Sequence, residues 1–118
     1  MVWIMVCTMK NKIIEQYTDK ELDESFCRDV ANIPYEYTEK VDIDSRCIYE
    51  FPPPSFCHNY IGGELWKQLN ECERYELFKQ GKLYTIRLYE NSNVYEYQHE
   101  TVGRAVVIAF LKKEYKLA

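Results

Sequence analysis

The sequence is poor in residues that break or redirect a chain, with 4 glycines and 4 prolines in 118 residues, three of the prolines consecutive at Pro52-Pro53-Pro54. So few breakers exclude a collagen-like or low-complexity chain and leave room for regular helices and strands. No CxxC pair occurs among the five cysteines, Cys7, Cys27, Cys47, Cys57 and Cys72. Their odd number and scattered spacing read as reduced thiols of a cytosolic protein rather than a disulfide framework. No apolar run approaches the roughly 20 residues of a membrane-spanning helix. The stretch from Met1 to Met9 is apolar but short, and it lacks the basic flank of a secretion signal. Basic residues are outnumbered 15 to 19 by acidic ones, for a formal net charge of −4, and form no run. That excludes long nucleic acid as the expected partner, because affinity there comes mainly from cations that neutralise phosphates.

What is present is ordinary for a folded protein, 47% hydrophobic and 29% charged residues, apart from 11 tyrosines. Tyrosine joins an apolar ring to a polar tip and is enriched where a surface is covered by something else. It also suits strands, so the excess points either to an interface or to sheet packing. The length fits a single domain at 9–118, with residues 1–8 as a short first strand or an N-terminal extension.

The first helix announces itself at Tyr17-Thr18-Asp19-Lys20-Glu21-Leu22. Thr18 and Glu21 form a capping box there, and Tyr17 staples onto Leu22. Leu22, Phe26, Val30 and Ile33 continue on one face until Pro34 ends the helix, at about residue 32. Alternation at Val41, Ile43, Cys47, Tyr49 and Phe51 predicts strand, with a turn or bulge at Asp44-Ser45. After the proline connector, Asn59 is the expected cap of a second helix over about 60–79, with Gly81 as its C-terminal signal. Gly62 and Gly63 in its first turn weaken a helix by about 1 kcal/mol each, as if something approached the backbone closely. Lys82 to Glu90 and Val94 to His99 read as a hairpin across Asn91-Ser92-Asn93, with Tyr84, Ile86 and Leu88 facing the core. Thr101 then caps a helix with Val102, Ala105, Val106, Ala109 and Phe110 on one face. The order is α-β-α-β-β-α, an α+β domain with helices on one or both faces of a small antiparallel sheet.

The segment Pro54-Ser55-Phe56-Cys57-His58-Asn59 before a helix, and the closing Thr101-Val102-Gly103-Arg104-Ala105-Val106-Val107-Ile108-Ala109-Phe110-Leu111, together resemble the phage ABA sandwich domain family. That family has an aromatic, small-polar, Asp step before its central helix. It ends in an Ala-Ile-x-x-Ala-x-Leu helix, matched here by Ala105, Val106, Ala109 and Leu111. Asn59 stands where the family has Asp, and Gly62-Gly63 where it has small helix formers. The resemblance implies a bacteriophage accessory protein of α/β/α sandwich form, without settled chemistry, acting against host defence in the host cytoplasm.

No catalytic motif emerges. Cys57 and His58 are neighbours on an extended connector, where adjacent side chains point apart, so they do not make a nucleophile–base pair. A zinc site from Cys47, Cys57, His58 and His99 has no short-spaced ligand pair to anchor it. Asp42, Asp44 and Glu50 beside Arg46 read as the solvated side of an edge strand. One cluster suits a small anionic ligand. Arg87 and Tyr89 lie on one hairpin strand, Tyr95 and Tyr97 opposite, and Arg104 near the last helix, while His58, Asn59, Gly62 and Gly63 line a helix N-terminus. Arginine with aromatic platforms clamps a base and its phosphate, and free N–H groups favour an anion. The competing reading pairs Arg87 with Glu96 or Glu90 and leaves the tyrosines as cross-strand packing. The expectation is a non-enzymatic, cofactor-free binding protein, homo-oligomeric and not membrane-bound, that sequesters a nucleotide or masks a host defence protein. The alternative is a module that self-associates through its tyrosine-rich sheet, and a nucleotide phosphodiesterase ranks last.

Overall fold

The computed structural model describes residues 13–35, 38–42, 47–51 and 53–117. After a 3-10 turn, Ile14–Gln16, helix α1 covers Asp19–Phe26 and runs directly into a π-helical segment, Cys27–Ala31. The capping box forms as expected: Glu21 N–H donates to Thr18 Oγ1 at 3.1 Å and Thr18 N–H to Glu21 Oε1 at 3.0 Å. The helix ends at Asn32, whose φ of 55° is the left-handed C-terminal conformation that asparagine tolerates.

A hairpin follows, β1 Thr38–Asp42 and β2 Cys47–Phe51, paired from Thr38↔Phe51 to Asp42↔Cys47. The expected Asp44-Ser45 turn and the segment 1–8 lie outside the described residues. Helix α2 then spans Gly63–Glu71, shorter at both ends than expected. Gly62, not Asn59, is its N-cap, and no side chain caps it. Residues 74–80, read as the last turns of a helix, are strand β3, Arg74–Gln80. Gly81, with φ 62°, is the first residue of a two-residue hairpin turn, not a helix terminator.

Strands β4, Leu83–Glu90, and β5, Asn93–His99, complete an antiparallel meander in the order β3-β4-β5. The β4–β5 turn is Asn91-Ser92, with Asn91 at φ 56°. Helix α3, Val102–Glu114, packs against β4 and β5 on one side and against α1 and the π-helical segment on the other. Sandwiched in this way it is buried from Val102 to Leu111 except at Arg104, as its otherwise apolar sequence demands. Thr101 is its N-cap residue, but the expected side-chain cap is absent: Thr101 N–H donates to His99 Nδ1 at 2.9 Å. The fold is α+β, with three α-helices among the described residues and a three-stranded antiparallel sheet against which helices pack. Its core joins Leu22 and Phe26 of α1, Leu65 and Leu69 of α2, Ile86 and Leu88 of β4, and the length of α3.

Candidate functional site

Register decides the fate of the expected Arg/Tyr cluster. Glu90 pairs with Asn93 across the turn, so Arg87 lies opposite Glu96, Tyr89 opposite Val94, Leu88 opposite Tyr95 and Ile86 opposite Tyr97. Directly opposed residues share a face. Tyr95 and Tyr97 therefore stand on the inner face with Ile86 and Leu88, away from Arg87 and Tyr89. Tyr95 is buried there, and Tyr97 lies under Lys112 Nζ, 5.3 Å from its ring centre.

Arg104 is separated from the hairpin cluster as well. It donates to Asp19 Oδ1 at 2.6 Å and to the carbonyls of Tyr17 and Glu15 at 2.6 and 3.2 Å. Those bonds tie the entrance of α1 to α3, so its guanidinium is a structural clamp. The loop before α2 is also differently employed. His58 stacks on Tyr60 at 5.0 Å between ring centres, and Asn59 is exposed. Apart from the chain immediately around each glycine, no atom of the described residues lies within 4 Å of a Cβ built at Gly62 or Gly63. The close backbone approach occurs at Gly103 instead. A Cβ there would sit 2.0 Å from Phe56 O and 2.7 Å from His58 N and O, and Gly103 N–H donates to His58 O at 2.8 Å. The connector is thus seated on α3 by a glycine contact.

Beneath the connector, Asp23 is buried and accepts from Phe56 N–H at 3.0 Å and from Cys57 Sγ at 3.5 Å. Burial pushes the Asp23 carboxyl up, against the pull of the Phe56 and Cys57 donors. Burial and the nearby Asp23 push the Cys57 thiol well above its ordinary value, and burial raises Cys27 to about 11. Thiols held protonated in this way are poor nucleophiles. Among the described residues no three His, Cys, Asp or Glu side chains converge as a metal site, and no helix is long and apolar enough to cross a membrane.

What does converge is the outer face of the β3-β4-β5 sheet, and about a third of it comes from β3, the strand read as helix from the sequence. Rows across the sheet place Arg74 by Tyr89 and Val94, Glu76 by Arg87 and Glu96, Phe78 by Thr85 and Gln98, and Gln80 by Leu83. Arg87 Nε bonds Glu96 Oε2 at 2.7 Å, and its Nη1 lies 3.8 Å from Glu76 Oε1. Its guanidinium also covers the Phe78 ring, 5.3 Å from the centre. The Tyr89 hydroxyl donates to Glu76, whose hydrogen bond pushes the phenol up, and Arg74 stacks on the Tyr89 ring at 4.5 Å. Gln98 Nε2 donates to Thr85 Oγ1 at 2.9 Å. The competing pairing of Arg87 with Glu96 is the one that forms. Around this network Phe78, Leu83 and Val94 remain 40%, 40% and 47% exposed. The missed signal was Tyr75 and Leu77 alternating with Arg74, Glu76 and Phe78 ahead of the Gly81-Lys82 turn.

No protein-family model matches the chain, and no similar curated protein or solved structure is found.

Proposed function

We propose that the chain is a non-enzymatic binding protein that docks another protein on the outer face of its β3-β4-β5 sheet. The observation that carries this reading is that the polar groups of the face satisfy one another. Two arginines and two glutamates neutralise each other there, in a chain whose formal net charge is −4. A face of this kind is covered without leaving an unpaired buried charge. Its exposed apolar groups then favour a mainly apolar, electrically neutral patch on the partner. A nucleotide gains less, because Arg87 and Arg104 already have anionic or carbonyl partners and the tyrosines are divided between faces. Of the two modes expected from sequence, masking a defence protein is therefore favoured over sequestering a nucleotide. The phage setting and the host cytoplasm rest on the resemblance of residues 54–59 and 101–111 alone.

The test is phage plating on bacterial strains that each carry one defence system, with and without the chain expressed. The chain should rescue plating on at least one strain, and a Phe78→Asp/Val94→Asp variant of unchanged melting temperature should not. Rescue by that variant, or no rescue on any strain, overturns the proposal. A thermal-shift panel of cyclic and adenosine-derived nucleotides should leave the melting temperature unchanged. A shift that Arg87→Ala abolishes would restore the nucleotide reading.

A further inference from the structure

Among the described residues the meander has two free edges, and they are defended unequally. Because each hairpin turn has two residues, the flanking pairs Gln80↔Gly81-Lys82↔Leu83 and Glu90↔Asn91-Ser92↔Asn93 are hydrogen-bonded pairs, and bonded and non-bonded pairs alternate from there. Tyr95, Tyr97 and His99 thus spend their backbone groups on β4. Val94, Glu96 and Gln98 point their N–H and C=O groups off the free edge of β5. Among the described residues none of these groups has a backbone partner. By the same count β3 presents Tyr75, Leu77 and Lys79 at its edge, and it carries Arg74, Glu76 and Lys79 along its length. Lysine and other charges guard an edge, whereas β5 has no proline, no lysine and one acid that is already bonded to Arg87.

We propose that β5 pairs antiparallel with β5 of a second copy about a two-fold axis at Tyr97, joining the two meanders into one continuous sheet. This register brings the free backbone groups of Glu96 in one copy opposite those of Gln98 in the other, so the ladder is complete on both sides of the axis. It is also the self-complementary choice for side chains. Glu96, an acceptor, faces Gln98, a donor, twice across the axis, and Tyr97 meets Tyr97 on the inner face. The register centred on Glu96 sets two carboxylates opposite each other, which is unfavourable. The chosen pairing lays the two outer faces side by side, doubling the surface proposed for docking. It stands independently of what that surface binds.

Sedimentation velocity of the whole chain from micromolar to millimolar concentration reads the association. The expected result is a monomer–dimer equilibrium. Gln98→Pro should abolish it at the melting temperature of Gln98→Ala, which loses the same side-chain bond to Thr85 but keeps the N–H, since that N–H makes no bond within the monomer. If the proline variant fails to fold, oxidation of Tyr97→Cys decides. Directly opposed cysteines in a non-bonded pair lie about 4.5 Å apart at Cα, within disulfide reach, so this variant should form a covalent dimer. Phe78→Cys and the unmodified chain should not. A monomer at all concentrations, a dimer that survives Gln98→Pro, or equal cross-linking of Tyr97→Cys and Phe78→Cys overturns the proposal. None of these outcomes depends on the plating assay, so the two readings fail separately.

Discussion

On the inner face of the β3-β4-β5 sheet, Ile86 and Leu88 are completely covered by α3 and its neighbours. One residue along the same strand, Arg87 and Tyr89 face outward into a network of side chains that bond one another. The backbone is shared, so the difference belongs to side chains alone. Apolar side chains on the inner face leave water by packing on a helix. Polar ones on the outer face are satisfied laterally, within their own layer. The inner face therefore needs the rest of the molecule, and the outer face does not. That asymmetry marks the outer face as a surface available to a partner, and mutations on the two sides should separate cleanly.

The largest effect is expected where the connector presses on the helix that seals the inner face. Gly103→Ala must displace the Phe56 and His58 backbone, since its Cβ would lie 2.0 Å from Phe56 O. A loss of more than about 4 kcal/mol is expected, in the exceptional range for single substitutions, measured by urea unfolding. Tolerance of alanine there would show that α3 is not clamped by the connector. Ile86→Ala comes next. It removes a fully buried side chain beneath α3, with an expected cost of about 3 kcal/mol from lost transfer energy and the residual cavity. Arg104→Ala follows at about 2 kcal/mol, because it removes charge-assisted bonds to Asp19 and to the Tyr17 and Glu15 carbonyls. Hydrogen exchange should show residues 14–19 opening first in that variant. A nucleotide-binding defect without loss of stability would contradict the structural role given to Arg104.

How much of this was legible in the sequence depends on how local the signal is. The capping box at Thr18 and Glu21 and the core-facing Ile86 and Leu88 are set by neighbours a few residues away, and both are found where expected. Strand β3 was lost because Gly81 serves a helix end and a hairpin turn equally well, and Leu69 and Cys72 carried the helical spacing up to the boundary. The candidate site failed on register. Shifting β5 by one residue against β4 exchanges its faces, and the side-chain list alone placed Tyr95 and Tyr97 beside Arg87. The contact at Gly103 was out of reach for a different reason. It joins the 56–58 connector to α3 across more than forty residues, and nothing local marks a glycine as the seat of a distant loop.

The smallest expected effect tests the comparison most directly, because it asks whether the outer network stabilises the fold or only keeps its face ready for a partner. Arg87 bonds Glu96 at 2.7 Å, yet both side chains remain in contact with solvent, and exposed ion pairs add little to stability because water and salt screen them. Arg87→Ala and Glu96→Ala, singly and together, should leave the unfolding midpoint within error of the parent, and added salt should not separate them. The double-mutant cycle should show no coupling in stability. The single substitutions are expected to weaken docking on this face, because each strips its former partner's charge of its closest bond beneath whatever covers it. If instead Arg87→Ala destabilised the chain as much as Ile86→Ala, the outer layer would be part of the core's support. The contrast between the two faces, and with it the case for a docking surface, would fall.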